Sequence, residues 1–400
     1  MCKTATLYLP RPTLTTERRI QTFHVTTFGC QMNLADSSTL VSALVTRGFR
    51  RVESSADADL IILNTCSVRE KAEQRVIGRL GELSHLRKQK PWVRIAVVGC
   101  MAQRLGSDLV TISRGCDNFC TYCIVPHVRG REQSHSVDHI LNGVRKMVSD
   151  GVVEVMLLGQ NVNSYQHNGT DFPDLLRRVA RETEIKRIRF MTSHPRDLSD
   201  KLIRVLADEP KIMPHVHLPL QAGSDRVLEW MGRKYTLAHY LMIVDSLRSK
   251  LDYLSLTTDL IVGFPGETRD DYQMTLDAVQ HVQFDAAFMF RYSVRPGTKA
   301  AGLVDDVPEA EKISRLNQLI DLQKSISYER NQREVGQVRQ AMVEGYSRRS
   351  DKFARARTEG NKTVLFRSET PAIGRILPMR ITAADAFTLH GETVEELTHA

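Results

Sequence analysis

The chain has 400 residues, 42% of them apolar, and a formal net charge of +8. That length suits two or three domains, and the apolar share builds an ordinary globular core rather than a disordered or fibrous chain. No apolar run is long enough to span a bilayer, and the odd count of seven cysteines argues against a disulfide framework and for metal or redox use.

Residues 1–22 are rich in Thr, Arg and Pro and lack the apolar core of a secretory signal. A flexible N-terminus is expected. Its basic residues leave an organelle-transit reading open beside the favoured cytoplasmic one. From residue 23 apolar strands alternate with helical stretches. Phe23–Phe28, Asp59–Asn64 and Val93–Val98 read as strands, and Ala35–Arg47 and Val68–Gln89 as helices. This rhythm implies a parallel sheet. Each strand runs into a cysteine: Cys30, Cys66 and Cys100. In an open parallel sheet the C-terminal strand ends share one edge, where ligands bind. Three thiols therefore converge, which suits an iron–sulfur cluster. The plainer alternative is three buried structural cysteines. Cys2 reads as incidental.

Cys116, Cys120 and Cys123 follow in a C-x3-C-x2-C spacing. A cubane 4Fe–4S cluster is normally held by four cysteines. Three ligands leave one iron open to the amino and carboxylate groups of a small molecule, and S-adenosylmethionine offers that pair. The alternative is a zinc knuckle with His127 as fourth ligand, although zinc sites usually pair two C-x2-C units and no second pair exists here.

From residue 110 the strand-then-helix pattern repeats about six times. Strands are expected at Val110–Ser113, Val153–Leu158, Arg187–Thr192, His215–Leu218, Leu254–Ile261 and Ala286–Tyr292. Helices are expected at Val137–Ser149, Pro173–Glu182, Ser199–Ala207, Leu237–Lys250 and Arg269–Val282. Six βα units suggest an open, partial βα barrel with its chemistry at the C-terminal strand ends. Polar or Gly-rich stretches stand at those ends, and each alone reads as a turn. Together they would line one mouth. Gln160, Asn161, Ser193, Gln221, Ser224 and Glu267 are the candidates to face a cofactor or substrate. His194, His215 and His217 read as packing or hydrogen-bonding residues, and Arg129 and Arg131 as partners for a carboxylate or phosphate, or as solvated cations.

Val307–Arg333 reads as a long helix with an apolar stripe through Ile313, Leu316, Leu319, Ile320 and Leu322. Beyond it, Val335–Glu344, Ala354–Thr358, Thr363–Phe366 and Ile373–Ala383 read as strands of a small β-barrel. Between Arg339 and Arg380 stand ten Lys or Arg and four acids, a balance that suits a nucleic-acid platform or an ordinary solvated surface.

Phe28-Gly29-Cys30-Gln31-Met32-Asn33, the stretch Asn64–Gln74 and the Cys116–Cys123 loop together resemble the radical S-adenosylmethionine methylthiotransferase family. Phe119 and Tyr122 resemble the aromatics beside its cluster, and Val343–Ser347 with Gly360-Asn361-Lys362 resembles its TRAM domain. The resemblance covers nearly the whole chain from about His24. It implies a multidomain α/β protein: a methylthiotransferase N-terminal domain over residues 23–109, a radical core over 110–334, and an RNA-binding TRAM barrel over 335–400. It implies two 4Fe–4S clusters, on Cys30, Cys66 and Cys100 and on Cys116, Cys120 and Cys123, with S-adenosylmethionine near the six polar candidates. The implied activity is transfer of a methylthio group to carbon 2 of an N(6)-dimethylallyladenosine beside the anticodon of tRNA, by a monomer. A radical is needed because an aromatic C–H bond is too strong for side-chain acid–base chemistry. Sister activities on a ribosomal-protein aspartate or another tRNA adenosine are the neighbouring alternatives, and a non-catalytic RNA-binding iron–sulfur protein is the distant one. The sequence departs from the family in one place. Only fifteen residues separate Cys100 from Cys116, so the N-terminal domain is shortened by several dozen residues near Ser107–Leu109.

Overall fold

The computed structural model describes residues 21–27, 37, 40–42, 44–64, 86, 90, 92–98, 108–347 and 350–394. Two compact units divide the chain, Met1–Arg104 and Leu105–Ala400. Among the described residues no helix is long and apolar enough to cross a membrane.

In the first unit the strands Thr22–Thr27, Leu60–Asn64 and Arg94–Val98 run parallel, with Arg50–Arg51 beside the first. Consecutive residues Ile61, Ile62 and Leu63 are all buried, as in a parallel sheet covered on both faces. Asp59 ties the sheet's start, its Oδ2 accepting from the backbone N–H groups of Gln21 and Thr22 at 3.0 Å each. The register sets Thr27 opposite Asn64 and Asn64 opposite Val98, so the three strands end level. Residues 40–42 and 44–46 are helical, within the expected Ala35–Arg47 helix. Cys30, Cys66, Cys100 and nearly all of Val68–Gln89 lie outside the described residues.

The second unit opens with Asp108–Thr111, whose first residues pair with Val155 and Met156. The core sheet thus begins two residues before the expected start. Glu154–Leu158 lies between Asp108–Thr111 and Arg187–Phe190. Ser255–Val262 lies between His215–His217 and Ala286–Arg291. Every pairing is parallel, and a single bridge from Ile188 to Ile212 joins the two triplets. The result is a six-stranded open arc. The helices Val137–Ser149, Phe172–Glu182, Asp200–Asp208, Leu237–Lys250 and Arg269–Val282 stand where periodicity puts them. Most start at a side-chain cap, and Thr268 with Asp271 makes a reciprocal capping box. Their buried stripes and the strands form one core, with Leu157, Phe190, Leu218, Tyr240 and Phe284 at its centre.

The helix Glu309–Gln332 corrects the sequence reading. Ile313 and Ile320, expected on an apolar stripe, are 46% and 38% exposed. Leu319 is buried and Leu316 and Leu322 pack against the core as expected, and the buried face also carries Lys312, Arg315, Gln323, Ile326, Ser327 and Asn331. Burying polar groups is tolerable only where each finds a partner. Lys312 meets Asp305 at 2.6 Å, Gln323 donates to the Phe284 carbonyl at 2.9 Å, and Ser327 donates to the Asp285 carbonyl at 2.9 Å.

Val338–Ser347, Ser350–Thr358, Thr363–Arg367, Leu389–Thr393 and Ile376–Ala384 close into a five-stranded barrel in that spatial order. Leu389–Thr393, absent from the sequence reading, completes it by pairing parallel to Thr363–Arg367. Ala341, Val343, Ala354, Ala356, Val364, Phe366, Met379, Ile381 and Leu389 fill the interior. The barrel is joined to the arc through buried charge. Arg187 Nη2 donates to the Gln340 carbonyl at 2.6 Å. Arg189 donates to the Thr358 and Glu359 carbonyls at 2.7 and 2.8 Å. Lys362 and Arg330 both reach Asp285 at 2.9 Å. Burial raises the Asp285 carboxyl, but the two cations outweigh it and hold it below the usual range.

Candidate metal and cofactor site

Cys116, Cys120 and Cys123 sit on the loop that follows the first strand of the arc, at its C-terminal mouth. Cys116 and Cys120 are buried and Cys123 is partly so. The loop is bent by two residues with left-handed backbone, Gly115 (φ +79°) and Phe119 (φ +48°). At Gly115 a Cβ would lie 2.1 Å from the Arg131 carbonyl oxygen, so only glycine fits. The Gly115 N–H donates to Gln160 Oε1 at 2.6 Å, and the Cys116 N–H to the Gly130 carbonyl at 3.2 Å. Thr121 hangs the loop on its neighbour through the Met231 and Trp230 carbonyls, at 2.9 and 2.8 Å.

Burial pushes the Cys123 thiol up to about 12, and the neighbouring Cys120 and Cys116 thiols add to the rise. Burial also raises Cys116, with Cys120 and Glu132 adding to it. The three sulfurs therefore feel one another, and their thiolates need positive charge among them. His127, the fourth ligand a zinc knuckle would use, is exposed. A multi-iron cluster, which spreads its ligands round a larger body, suits three thiols on a wrapping loop.

The six polar candidates divide into two groups. Gln160 braces the loop at Gly115. Asn161 donates to Asp197 Oδ2 at 2.7 Å, but its Oδ1 and the Oγ of Ser193 are buried with no partner among the described residues. On the cysteine loop, Asn118 Oδ1 is likewise unpartnered. Such orphans are costly unless a ligand satisfies them. Gln221 is buried at φ +72° and bridges to Leu260. Ser224 and Glu267 also bond inside the fold, although Glu267 Oε1 is, like Asn161 Oδ1, buried with no partner among the described residues. Ser224 donates to Asp271 at 2.6 Å. Glu267 accepts from the Gly263 N–H at 2.6 Å and from Arg315 at 2.7 Å. Burial nonetheless raises the Glu267 carboxyl.

Other expectations resolve plainly. Arg131 meets Asp117, with Nε to Oδ1 at 2.7 Å, and lies 5.5 Å from the Phe119 ring centre. His194, His215 and His217 are buried, the last two hydrogen-bonded to Thr257 Oγ1. Two residues at the mouth escaped the sequence reading. Glu132 takes both its oxygens to Ser164 Oγ at 2.8 and 2.7 Å. Arg233 reaches Cys120 Sγ at 3.3 Å. Neither carries a local pattern, because each partner lies tens of residues away.

An arc of six parallel strands with three cysteines on its first loop is the architecture of a radical S-adenosylmethionine core. The description Radical SAM superfamily matches residues 110–279, TRAM domain matches 332–394, and Uncharacterized protein family UPF0004 matches 22–121. The tRNA-2-methylthio-N(6)-dimethylallyladenosine synthase of Syntrophobacter fumaroxidans is 42% identical over 93% of this chain and 96% of its own. That of Moorella thermoacetica is 42% identical over 94% and 99%. The chain belongs to the tRNA-2-methylthio-N(6)-dimethylallyladenosine synthase family. The fold is also that of a radical S-adenosylmethionine methyltransferase, TsrM, from Kitasatospora setae, with a TM-score of 0.51 over 71% of this chain and 77% of that one at 13% identity. The first alignment runs over 436 positions, of which this chain fills 93% of its 400 residues, about 372. About sixty positions of the relative therefore have no counterpart here.

Proposed function

We infer that the chain is a radical S-adenosylmethionine enzyme that adds a methylthio group to carbon 2 of N(6)-dimethylallyladenosine beside the anticodon of tRNA, acting as a monomer in the cytoplasm. The observation that carries this reading is the wrapped loop of Cys116, Cys120 and Cys123 beside the orphaned polar atoms of Asn118, Asn161 and Ser193. Those thiols would hold one 4Fe–4S cluster, and Gln160, Asn161, Ser193 and Gln221 would face S-adenosylmethionine, with Ser224 and Glu267 stiffening the loops behind them. When bound, cluster and cofactor supply the electron and the carbon radical that remove an unactivated hydrogen. The chain's own part is to orient and to exclude water. Gln160 fixes the loop and Thr121 anchors it. The bend at Gly115 turns the chain into the loop that carries the three thiols, two of them on buried residues.

A second 4Fe–4S cluster on Cys30, Cys66 and Cys100 would carry the sulfur. Its support is the level ending of the three strands at Thr27, Asn64 and Val98, each two or three residues before its cysteine. The basic barrel suits the backbone of an anticodon stem, and an unpaired loop lets the target base leave its stack. The fifteen-residue link from Cys100 to Cys116 and the sixty unmatched positions favour one competing reading, in which the shortened domain has lost its cluster and the chain binds RNA without completing the transfer.

The test is iron and sulfide content of anaerobically reconstituted protein beside a Cys30→Ala, Cys66→Ala, Cys100→Ala variant, with mass spectrometry of nucleosides from treated tRNA. About eight irons per chain falling to about four in the variant, with methylthio-adenosine formed only by the parent, upholds the proposal. About four in both, with no methylthio product, leaves the competing reading.

A further inference from the structure

Buried arginines in the second unit follow a rule. Arg187 and Arg189 lie near Glu154, and Arg315 pairs with Glu267. A buried cation without an anion is strongly disfavoured, so each guanidinium brings its own carboxylate. Arg233 breaks the rule. It is 5% exposed and no carboxylate pairs with it among the described residues. Its Nε donates to Tyr235 Oη at 3.1 Å, its Nη2 to the Pro219 carbonyl at 3.3 Å, and its Nη1 to Cys120 Sγ at 3.3 Å. The guanidinium also lies 5.2 Å from the Tyr235 ring centre. Tyr235 is itself fixed, its Oη donating toward the Leu220 carbonyl at 2.8 Å. The side chain is thus clamped on three sides, and the one partner able to carry full negative charge is a cysteine sulfur.

We propose that Arg233 is a positioning residue whose charge is matched by the cluster on Cys116, Cys120 and Cys123, and that it raises the reduction potential of that cluster through the Nη1–H···Sγ contact with Cys120. The inference rests on the reading that this loop holds a 4Fe–4S cluster. A thiolate-bound cluster gains one negative charge when reduced. Hydrogen bonds to the sulfurs and nearby charge are among the protein's main controls on such potentials. In a water-poor site a fixed guanidinium stabilises the more negative state, so the cluster accepts an electron from a weaker donor. Arginine suits this better than lysine, because its planar fork holds Tyr235, Pro219 and Cys120 at once.

The experiment is an EPR-monitored redox titration of anaerobically reconstituted protein, parent beside Arg233→Gln and Arg233→Lys. S-adenosylmethionine affinity and iron content are measured on the same samples. The expected result is a midpoint shifted to more negative potential in Arg233→Gln, partly restored in Arg233→Lys, with iron content held. An unchanged midpoint in a loaded Arg233→Gln variant overturns the proposal. So does an unchanged midpoint with S-adenosylmethionine affinity lost, since Arg233 would then serve the cofactor's carboxylate. If Arg233→Gln loads no cluster, Tyr235→Phe removes one arm of the clamp. It should shift the midpoint the same way by less, and no shift there overturns the proposal. If the parent itself gives no cluster signal, the underlying reading of the loop has failed instead.

Discussion

Arg189 and Glu154 face each other on neighbouring strands, with 2.9 Å between Nε and Oε1 and each side chain 1% exposed. The contact is an ion pair rather than an aligned hydrogen bond, because the guanidinium turns its outer nitrogens to the barrel carbonyls of Thr358 and Glu359. Arg187 does the same with Gln340. Glu154 therefore neutralises two cations that hold one domain to another.

Removing that charge should be expensive. Glu154→Gln leaves Arg187 and Arg189 buried without their anion, and breaking such a pair costs about 3–5 kcal/mol. Chemical denaturation should show a large fall in stability. Limited proteolysis should release the barrel from residue 338 onward earlier than in the parent.

Gly115→Ala should empty the cysteine loop. A left-handed φ of +79° disfavours alanine by about 1–2 kcal/mol, and its Cβ would strike the Arg131 carbonyl. Iron content after reconstitution should fall by about four per chain, while circular dichroism of the core stays close to that of the parent.

Gln160→Leu tests the brace behind the loop. It removes the acceptor 2.6 Å from the Gly115 N–H, and leaving such a donor unmet costs about 1–3 kcal/mol. The cluster should still form but bleach faster under air, and Gln160→Glu, which keeps an acceptor, should bleach at close to the parent's rate.

His194 gives a pH dependence. Burial, then Arg233, Arg196 and Lys234, lower its imidazole from 6.5 to about 2. Its Nδ1 accepts the Arg196 N–H at 3.2 Å, so the native state needs the ring neutral. The folded value lies below the unfolded one. Between these values the unfolded chain binds a proton that the native chain refuses. Stability is full above about pH 6.5 and declines as pH falls. His194→Asn keeps the cap and cannot titrate, so urea midpoints measured from pH 7.5 to 5 should fall less steeply than in the parent.

The repeating βα pattern was legible because helix and strand periods are local. Val137–Ser149, Leu237–Lys250 and Arg269–Val282 begin and end where their caps and apolar stripes say. The cysteine loop was legible for the same reason, since its three ligand candidates lie within eight residues. What escaped was long-range. Part of the polar face of Glu309–Gln332 is buried because the Phe284 and Asp285 carbonyls, 39 and 42 residues away, accept from Gln323 and Ser327. The strand Leu389–Thr393 is short and its parallel partner precedes it by more than twenty residues. Arg233 meets a sulfur 113 residues away. A strand-end turn likewise gives no sign that Ser224 will bond Asp271 or that Glu267 will bond Arg315.

The grip of Arg187 and Arg189 falls on backbone oxygens of Gln340, Arg357, Thr358 and Glu359, not on their side chains. Every amino acid supplies that oxygen. Substituting the side chains at those positions would therefore leave the acceptors of the seam in place.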